Sequence, residues 1–180
     1  MDELVVERLQ AGEGAVLLDE IMEKYGQDIL QLVYSYVKEY SLAEDLTQEI
    51  FVKCYRALPT YKKQAGLRTW LWKIAINHCK DYLKSWYHRN VDTISENLIV
   101  ASNDSVEREI IRRDDDQALA ESVMDLPIIY REAIYLYYFQ ELTIKEIAEM
   151  TGIKQGTIKT RLRKAKEILK TRLEGFENGR

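Results

Sequence analysis

TIKEIAEMTGIKQGTIKTRLRKA, residues 143–165, decides the fold. Thr143-Ile-Lys-Glu146 is a capping box: the Thr hydroxyl can accept from the N–H of residue 146 while the Glu side chain reaches back. It opens a short helix with Ile144, Ile147 and Ala148 on one face. Thr151-Gly152-Ile153 ends that helix, because Gly tolerates the left-handed backbone a sharp turn needs. The next helix carries Ile158, Leu162, Ala165 and Leu169 at i, i+4, i+7 and i+11, one apolar stripe. A short helix, a Gly turn and a basic second helix predict a helix-turn-helix whose second helix enters the major groove of duplex DNA. Small Ala148 lets the two helices approach. Gln155, Thr157, Lys159 and Thr160, near the start of the second helix, are candidates for base edges. Arg161, Arg163 and Lys164 are candidates for phosphates, which position without specifying sequence.

Working outward, charge is segregated. Residues 1–52 carry a net −9, 53–90 +8, 91–125 −7, 126–150 −2, 151–172 +7 and the last eight −1, giving −4 over 180 residues. Two basic blocks separated by an acidic one suit two contacts with a polyanion. Hydrophobic residues at 46% fit a globular chain, and the two prolines let helices run on. The N-terminus Met1-Asp2-Glu3 lacks the basic-then-apolar order of a secretion signal, and no apolar run reaches membrane-spanning length, so a cytoplasmic location is expected. Cys54 and Cys79 fall inside helical patterns and read as buried thiols rather than a disulfide or metal site.

Upstream, residues 15–38 repeat Val16, Ile21, Ile29, Leu32, Val33, Tyr36 and Val37 at helical spacing. Ser41-Leu-Ala-Glu44 reads as a second capping box, opening a helix that runs to about Ala57 and stops at Pro59. Its inward positions are Leu46, Ile50, Cys54 and Ala57. Asp45, Gln48, Glu49 and Val52 form a polar, partly acidic strip, wrong for DNA and suited to a basic protein partner or to solvent. A further helix spans about 67–86, with Leu71, Ile74, Ala75, Cys79 and Tyr82 inward. Residues 53–90 interleave Lys and Arg with Tyr55, Tyr61, Trp70, Trp72, Tyr82, Trp86 and Tyr87, a mixture that can hold a backbone and stack on unpaired bases, or simply pack a core. Residues 91–105 show little period and predict a linker. Helical pattern resumes near Val106, and Pro127 suits the first turn of another helix. The fold class is therefore all-α: two helical domains, 1–90 and 106–180, joined by an acidic flexible linker at 91–105, with a C-terminal helix-turn-helix.

AEDLTQEIFVKCYRAL (43–58), LRTWLWKIAINHCKDYLK (67–84) and LPIIYREAIYLYYFQELTIKEIAEMTGIKQGTIKTRLRKAKEIL (126–169) resemble, in order, the extracytoplasmic-function sigma factors. The sequence departs from that pattern at Leu67, where Phe is usual, and at Ile76, where Arg is common. The resemblance implies that one domain (1–90) binds core RNA polymerase and recognises and melts the −10 element, while the other (106–180) binds the −35 element as duplex. By this resemblance Asp45, Gln48, Glu49 and Val52 fall in the core-binding helix. Lys63, Arg68, Thr69, Trp70, Trp72, Lys73, Asn77 and Asp81 fall in the −10 region, and Gln155, Thr157, Lys159, Thr160, Arg161, Arg163 and Lys164 in the −35 helix. It also implies a regulating anti-sigma protein, often membrane-tethered, and no cofactor or metal.

Two other readings compete. A stand-alone helix-turn-helix regulator with a sensing or dimerising N-terminal half would bind its site without polymerase. A nucleic-acid enzyme needs a catalytic set, and His78 and His88 have no metal-ligand spacing with the cysteines, nor is there a Gly-rich phosphate loop.

Overall fold

The structure, a computed structural model, describes residue 8 and residues 11–62, 64–90 and 115–177. Every regular element among them is helical. Helix α1 (Gly14–Val37) buries Leu17, Ile21, Ile29, Leu32, Val33 and Tyr36, steps of three and four that keep one face inward. It ends at Lys38, whose φ of 62° places it in the left-handed region and whose N–H closes on the Tyr34 carbonyl at 2.9 Å. Helix α2 (Tyr40–Ala57) starts earlier than the Ser41 capping box predicted. Its cap is Glu39, whose two carboxylate oxygens accept from the Ser41 N–H (2.8 Å) and the Leu42 N–H (2.5 Å). A charged acceptor reaching two orphan donors outcompetes one hydroxyl.

A 3-10 turn at Leu58–Thr60 carries Pro59 where no helical N–H is needed. Helix α3 (Leu67–Asn90) follows. Helices α4 (Asp115–Met124) and α5 (Ile128–Ile134) lie beyond the predicted linker, and Pro127 stands at the N-cap of α5. The linker itself, 91–105, and the helical pattern expected from Val106 to 114 lie outside the described residues. Helix α5 runs into a wide π turn, Tyr135–Phe139, before α6 (Ile144–Thr151) and α7 (Gln155–Glu177).

Helices α1, α2 and α3 pack on one another, as do α4, α5, α6 and α7, and the two sets touch where α3 meets α6 and α1 meets α5. One continuous buried cluster runs through both. Helix α3 is consequently covered on two sides. It buries Leu71, Trp72, Ala75, Ile76, His78 and Cys79, a broader face than the predicted stripe.

Trp72 is the first correction this imposes. It is fully buried, with its ring edge-on to Tyr25 at 5.6 Å between centroids, so it belongs to the core and offers no face to a base.

Candidate DNA and polymerase interfaces

The helix-turn-helix is built as its local chemistry dictates. Thr143 Oγ1 accepts from the Glu146 N–H at 3.3 Å, and Glu146 Oε2 accepts from the Thr143 N–H at 2.8 Å. The Thr143 hydroxyl, which donates to Glu146 Oε2 at 2.6 Å, and then the Thr143 N–H hold the Glu146 carboxyl below its ordinary value. Gly152 takes φ 72° and its N–H closes α6 on the Ala148 carbonyl at 2.9 Å. Ile158, Leu162, Ala165 and Leu169 are all buried, which turns the opposite face of α7 to solvent.

On that face Gln155, Thr157, Lys159, Thr160, Arg163 and Lys164 are exposed. The Thr160 hydroxyl donates to the Gly156 carbonyl at 3.0 Å, so what remains to meet a base is its methyl group and the acceptor lone pairs of the hydroxyl. Lys164 sits 3.3 Å from Glu167, an exposed pair that leaves the ammonium accessible.

Arg161 departs from the predicted set. It is half-buried on the inward edge of α7, with Nη1 3.4 Å from Oε2 of Glu132 on α5. The assignment from residue type missed this partner, which lies 29 positions away in sequence.

In α2, Asp45, Gln48, Glu49 and Val52 all lie exposed along one face, while Leu46, Ile50 and Cys54 on the other are buried. Tyr55 is also exposed and extends the strip by one turn, a residue whose place at i+3 from Val52 could have been read from spacing. The strip is braced from behind by His78 of α3. The Lys53 ammonium donates to His78 Nδ1 at 2.6 Å, and His78 Nε2 lies 3.0 Å from Glu49 Oε2. Burial first, and the Lys53 charge second, hold the imidazole below its ordinary value, so the neutral ring is favoured.

Along α3, Thr69, Lys73, Asn77 and Asp81 recur every four residues, Thr69 half-buried and the others exposed. Trp70 is half-buried against Tyr61. Arg68 is turned away from solvent: its Nη2 donates to the Gln140 carbonyl (3.0 Å) and Oε1 (3.1 Å), and its guanidinium lies 4.9 Å over the Trp72 ring. Lys63 lies outside the described residues. Cys54 and Cys79 are buried free thiols, both pushed up to about 12 by burial.

Residues 21–87, spanning most of α1 through α3, match Sigma-70 region 2, and residues 116–169, spanning α4 into α7, match Sigma-70 region 4. The RNA polymerase sigma-H factor of Pseudomonas aeruginosa is 30% identical over 96% of this chain and 94% of its own length. The ECF RNA polymerase sigma factor SigM of Bacillus subtilis is 32% identical over 85% of this chain and 93% of its own. The chain belongs to the extracytoplasmic-function sigma factors. As such it binds core RNA polymerase and promoter DNA and directs promoter-specific initiation. The fold is shared with the sigma factor RpoE of Bartonella quintana, solved with the anti-sigma factor NepR (TM-score 0.71, 20% identity, 87% of this chain and 96% of that one). It is also shared with CnrH, solved with the cytosolic domain of CnrY (TM-score 0.68, 19% identity, 97% of each).

Two residues of this sigma factor went unremarked in the sequence. Arg131 and Glu132 are adjacent and both buried. Arg131 donates to the carbonyls of Ser35 and Tyr36 at the end of α1, and to those of Met124 and Leu126 at the end of α4. One guanidinium thus caps two helix C-termini, where partial negative charge collects. Glu132 accepts from the Tyr36 hydroxyl at 2.5 Å and pairs with Lys80 at 2.8 Å. Burial, with the nearby Glu132 charge, drives the Tyr36 hydroxyl well above its ordinary value, so it stays a donor. The signal was available: two charges inside the apolar run IIYREAIYLYY have to be partnered.

Among the described residues no helix is long and apolar enough to cross a membrane, and no group of three His, Cys, Asp or Glu side chains is placed to hold a metal.

Proposed function

We propose that the chain works as two modules, 1–90 and 106–180, with 91–105 as the linker between them. The exposed strip Asp45, Gln48, Glu49 and Val52 docks on core polymerase. Lys63, Arg68, Thr69, Trp70, Lys73, Asn77 and Asp81 serve the −10 element, where duplex contacts and capture of unstacked bases offset unpairing, at a few kcal/mol per flipped base. The exposed face of α7 reads the −35 duplex: Gln155, Thr157, Lys159 and Thr160 at base edges, Arg163 and Lys164 on phosphates. The observation that carries this reading is one chain presenting a partly acidic protein-docking strip on α2 and a basic, DNA-compatible face on α7, both exposed.

In this role the chain acts in the cytoplasm and supplies binding energy, not a catalytic group; the polymerase does the chemistry. An anti-sigma protein is the expected regulator, consistent with the anti-sigma factor NepR solved on RpoE. Promoter-dependent transcription with purified core polymerase tests the whole. Initiation only when the chain is added supports it. Tight promoter binding by the chain alone, with no effect on core, would point instead to a stand-alone regulator.

A further inference from the structure

Glu49 and Lys53 stand at i and i+4 on α2, the acid nearer the N-terminus. On a helix surface that is the favourable spacing and order for the two charges to pair. They do not pair here: among the described residues no ion pair joins Glu49 to Lys53, and His78 of α3 engages both instead. The Lys53 ammonium donates to His78 Nδ1 at 2.6 Å, and His78 Nε2 lies 3.0 Å from Glu49 Oε2. The α2 sequence gives no sign of this, because the ring comes from 25 positions beyond Lys53.

The ring suits the place through its own chemistry. A neutral imidazole has one nitrogen that accepts and one that donates. With Lys53 donating to Nδ1, the proton belongs on Nε2, the side of the carboxylate. The contact on that side is oblique, more charge than hydrogen bond, and buried Nε2 has no other acceptor among the described residues. A second proton, on Nδ1, would set two positive charges against each other, and burial opposes it as well.

The consequence lies on the exposed side of α2. The His78 side chain is 9% exposed, whereas that of Glu49 keeps 62%. Its carboxylate is steadied from behind and stays open to solvent in line with Asp45, Gln48 and Val52. Paired with Lys53, the same carboxylate would be neutralised along its own helix.

We infer that His78 is a positioning residue for core binding: it draws Lys53 away from Glu49 and so keeps that carboxylate free for a basic group on the polymerase. This rests on the reading of the α2 strip as the core-docking surface. The ring acts through Glu49 and need not touch the polymerase.

Titration of the labelled full chain with core polymerase, in a cycle of variants, tests this. Exposed ion pairs shift an equilibrium by up to about fivefold, so His78→Leu, which removes both nitrogens, should weaken core binding about threefold with helix content unchanged. Lys53→Met should then restore most of that loss, yet change affinity little where His78 is present. Damage to the fold would not be repaired by removing a lysine. His78→Gln, whose amide can accept from Lys53 and donate to Glu49, should bind core nearly as the wild type does. Should His78→Leu lose helix, His78→Phe, which keeps a ring without either nitrogen, decides on the same readouts. Unaltered affinity on losing both nitrogens, or a Lys53→Met gain equal with and without His78, overturns the role. Glu49→Gln separates the two readings. If it binds core as the wild type does, the strip reading fails at Glu49 and the role of His78 falls with it. If it weakens binding while His78 and Lys53 show no coupling, the strip stands and only the role of His78 fails.

Discussion

The same substitution at two glycines four residues apart should have opposite effects. Gly152 closes the turn of the helix-turn-helix with φ 72°, and a Cβ built on it meets nothing within 4 Å. Gly156 lies in the first turn of α7, and a Cβ there also meets nothing within 4 Å. Crowding is thus removed from the comparison and only backbone preference remains. Replacing Gly by Ala restricts the unfolded chain at either position, which favours folding by about 0.4–1 kcal/mol. At residue 156 nothing opposes that gain, so Gly156→Ala should stabilise by roughly that amount. At residue 152 an L side chain in the left-handed region costs about 1–2 kcal/mol, so Gly152→Ala should destabilise by about 0.5–1 kcal/mol net. The unfolded-state contribution is common to both, and the difference between the variants, about 1–2 kcal/mol, isolates the turn. Urea unfolding followed by far-ultraviolet circular dichroism reads it. Gly152→Asn should recover part of the loss, since Asn tolerates this backbone better than Ala. Shifts of the same sign, or a difference under about 0.5 kcal/mol, would refute the argument.

Reversing the charge of Asp45 and Glu49 to Lys should weaken core binding at least tenfold, about 1.4 kcal/mol, with the helix content unchanged; unaltered affinity would remove the strip from the interface. Lys164→Ala should weaken DNA binding about equally across sequences and lower the slope of log affinity against log salt by about 0.9, and a sequence-selective loss would place Lys164 among the base readers instead. His78 is held below its ordinary value by burial and Lys53. Above pH 6.5 the ring is neutral folded or unfolded. Below it the unfolded chain takes up a proton the folded chain refuses, so stability falls as pH falls. The stability difference between wild type and His78→Gln should therefore shrink from pH 7.5 to pH 5.5 in urea titrations, and a constant difference counts against it. Arg131→Met leaves the carbonyls of Ser35, Tyr36, Met124 and Leu126 without this donor and should cost about 3 kcal/mol or more; a loss under 1 kcal/mol would mean water replaces it freely.

The helix-turn-helix was legible because its determinants are local. The Thr143 box, Gly152 and the Ile158 stripe act within a turn or two of themselves. The α2 strip was legible for the same reason, since one amphipathic helix declares its own faces. What sequence reading missed was set by distant partners. Trp72 looked available to a base because α3 shows a single apolar stripe, whereas Tyr25 of α1, edge-on to the ring, and the Arg68 guanidinium over it leave the indole buried. Arg161 looked like one more phosphate contact until Glu132, buried on α5, was found beside it. Ser41 satisfied a capping pattern, yet Glu39, two residues earlier, offered a charged acceptor to the N–H groups of Ser41 and Leu42 and so began the helix sooner.

The two buried ties between the halves differ in what they ask of heredity. Arg131 reaches backbone carbonyls of α1, atoms that every amino acid supplies, so substitutions drifting through residues 35 and 36 leave that contact intact. Glu132 reaches a tyrosine hydroxyl and a lysine ammonium, which only particular side chains supply. Exchanging the first 90 residues for those of a relative would therefore keep the arginine's cap in any case, and the carboxylate's partners only where that relative carries a tyrosine and a lysine at the same places. Descendants of this chain can lose or regain the second tie by changing one letter at position 36, 80 or 132, and those three positions should rise and fall together.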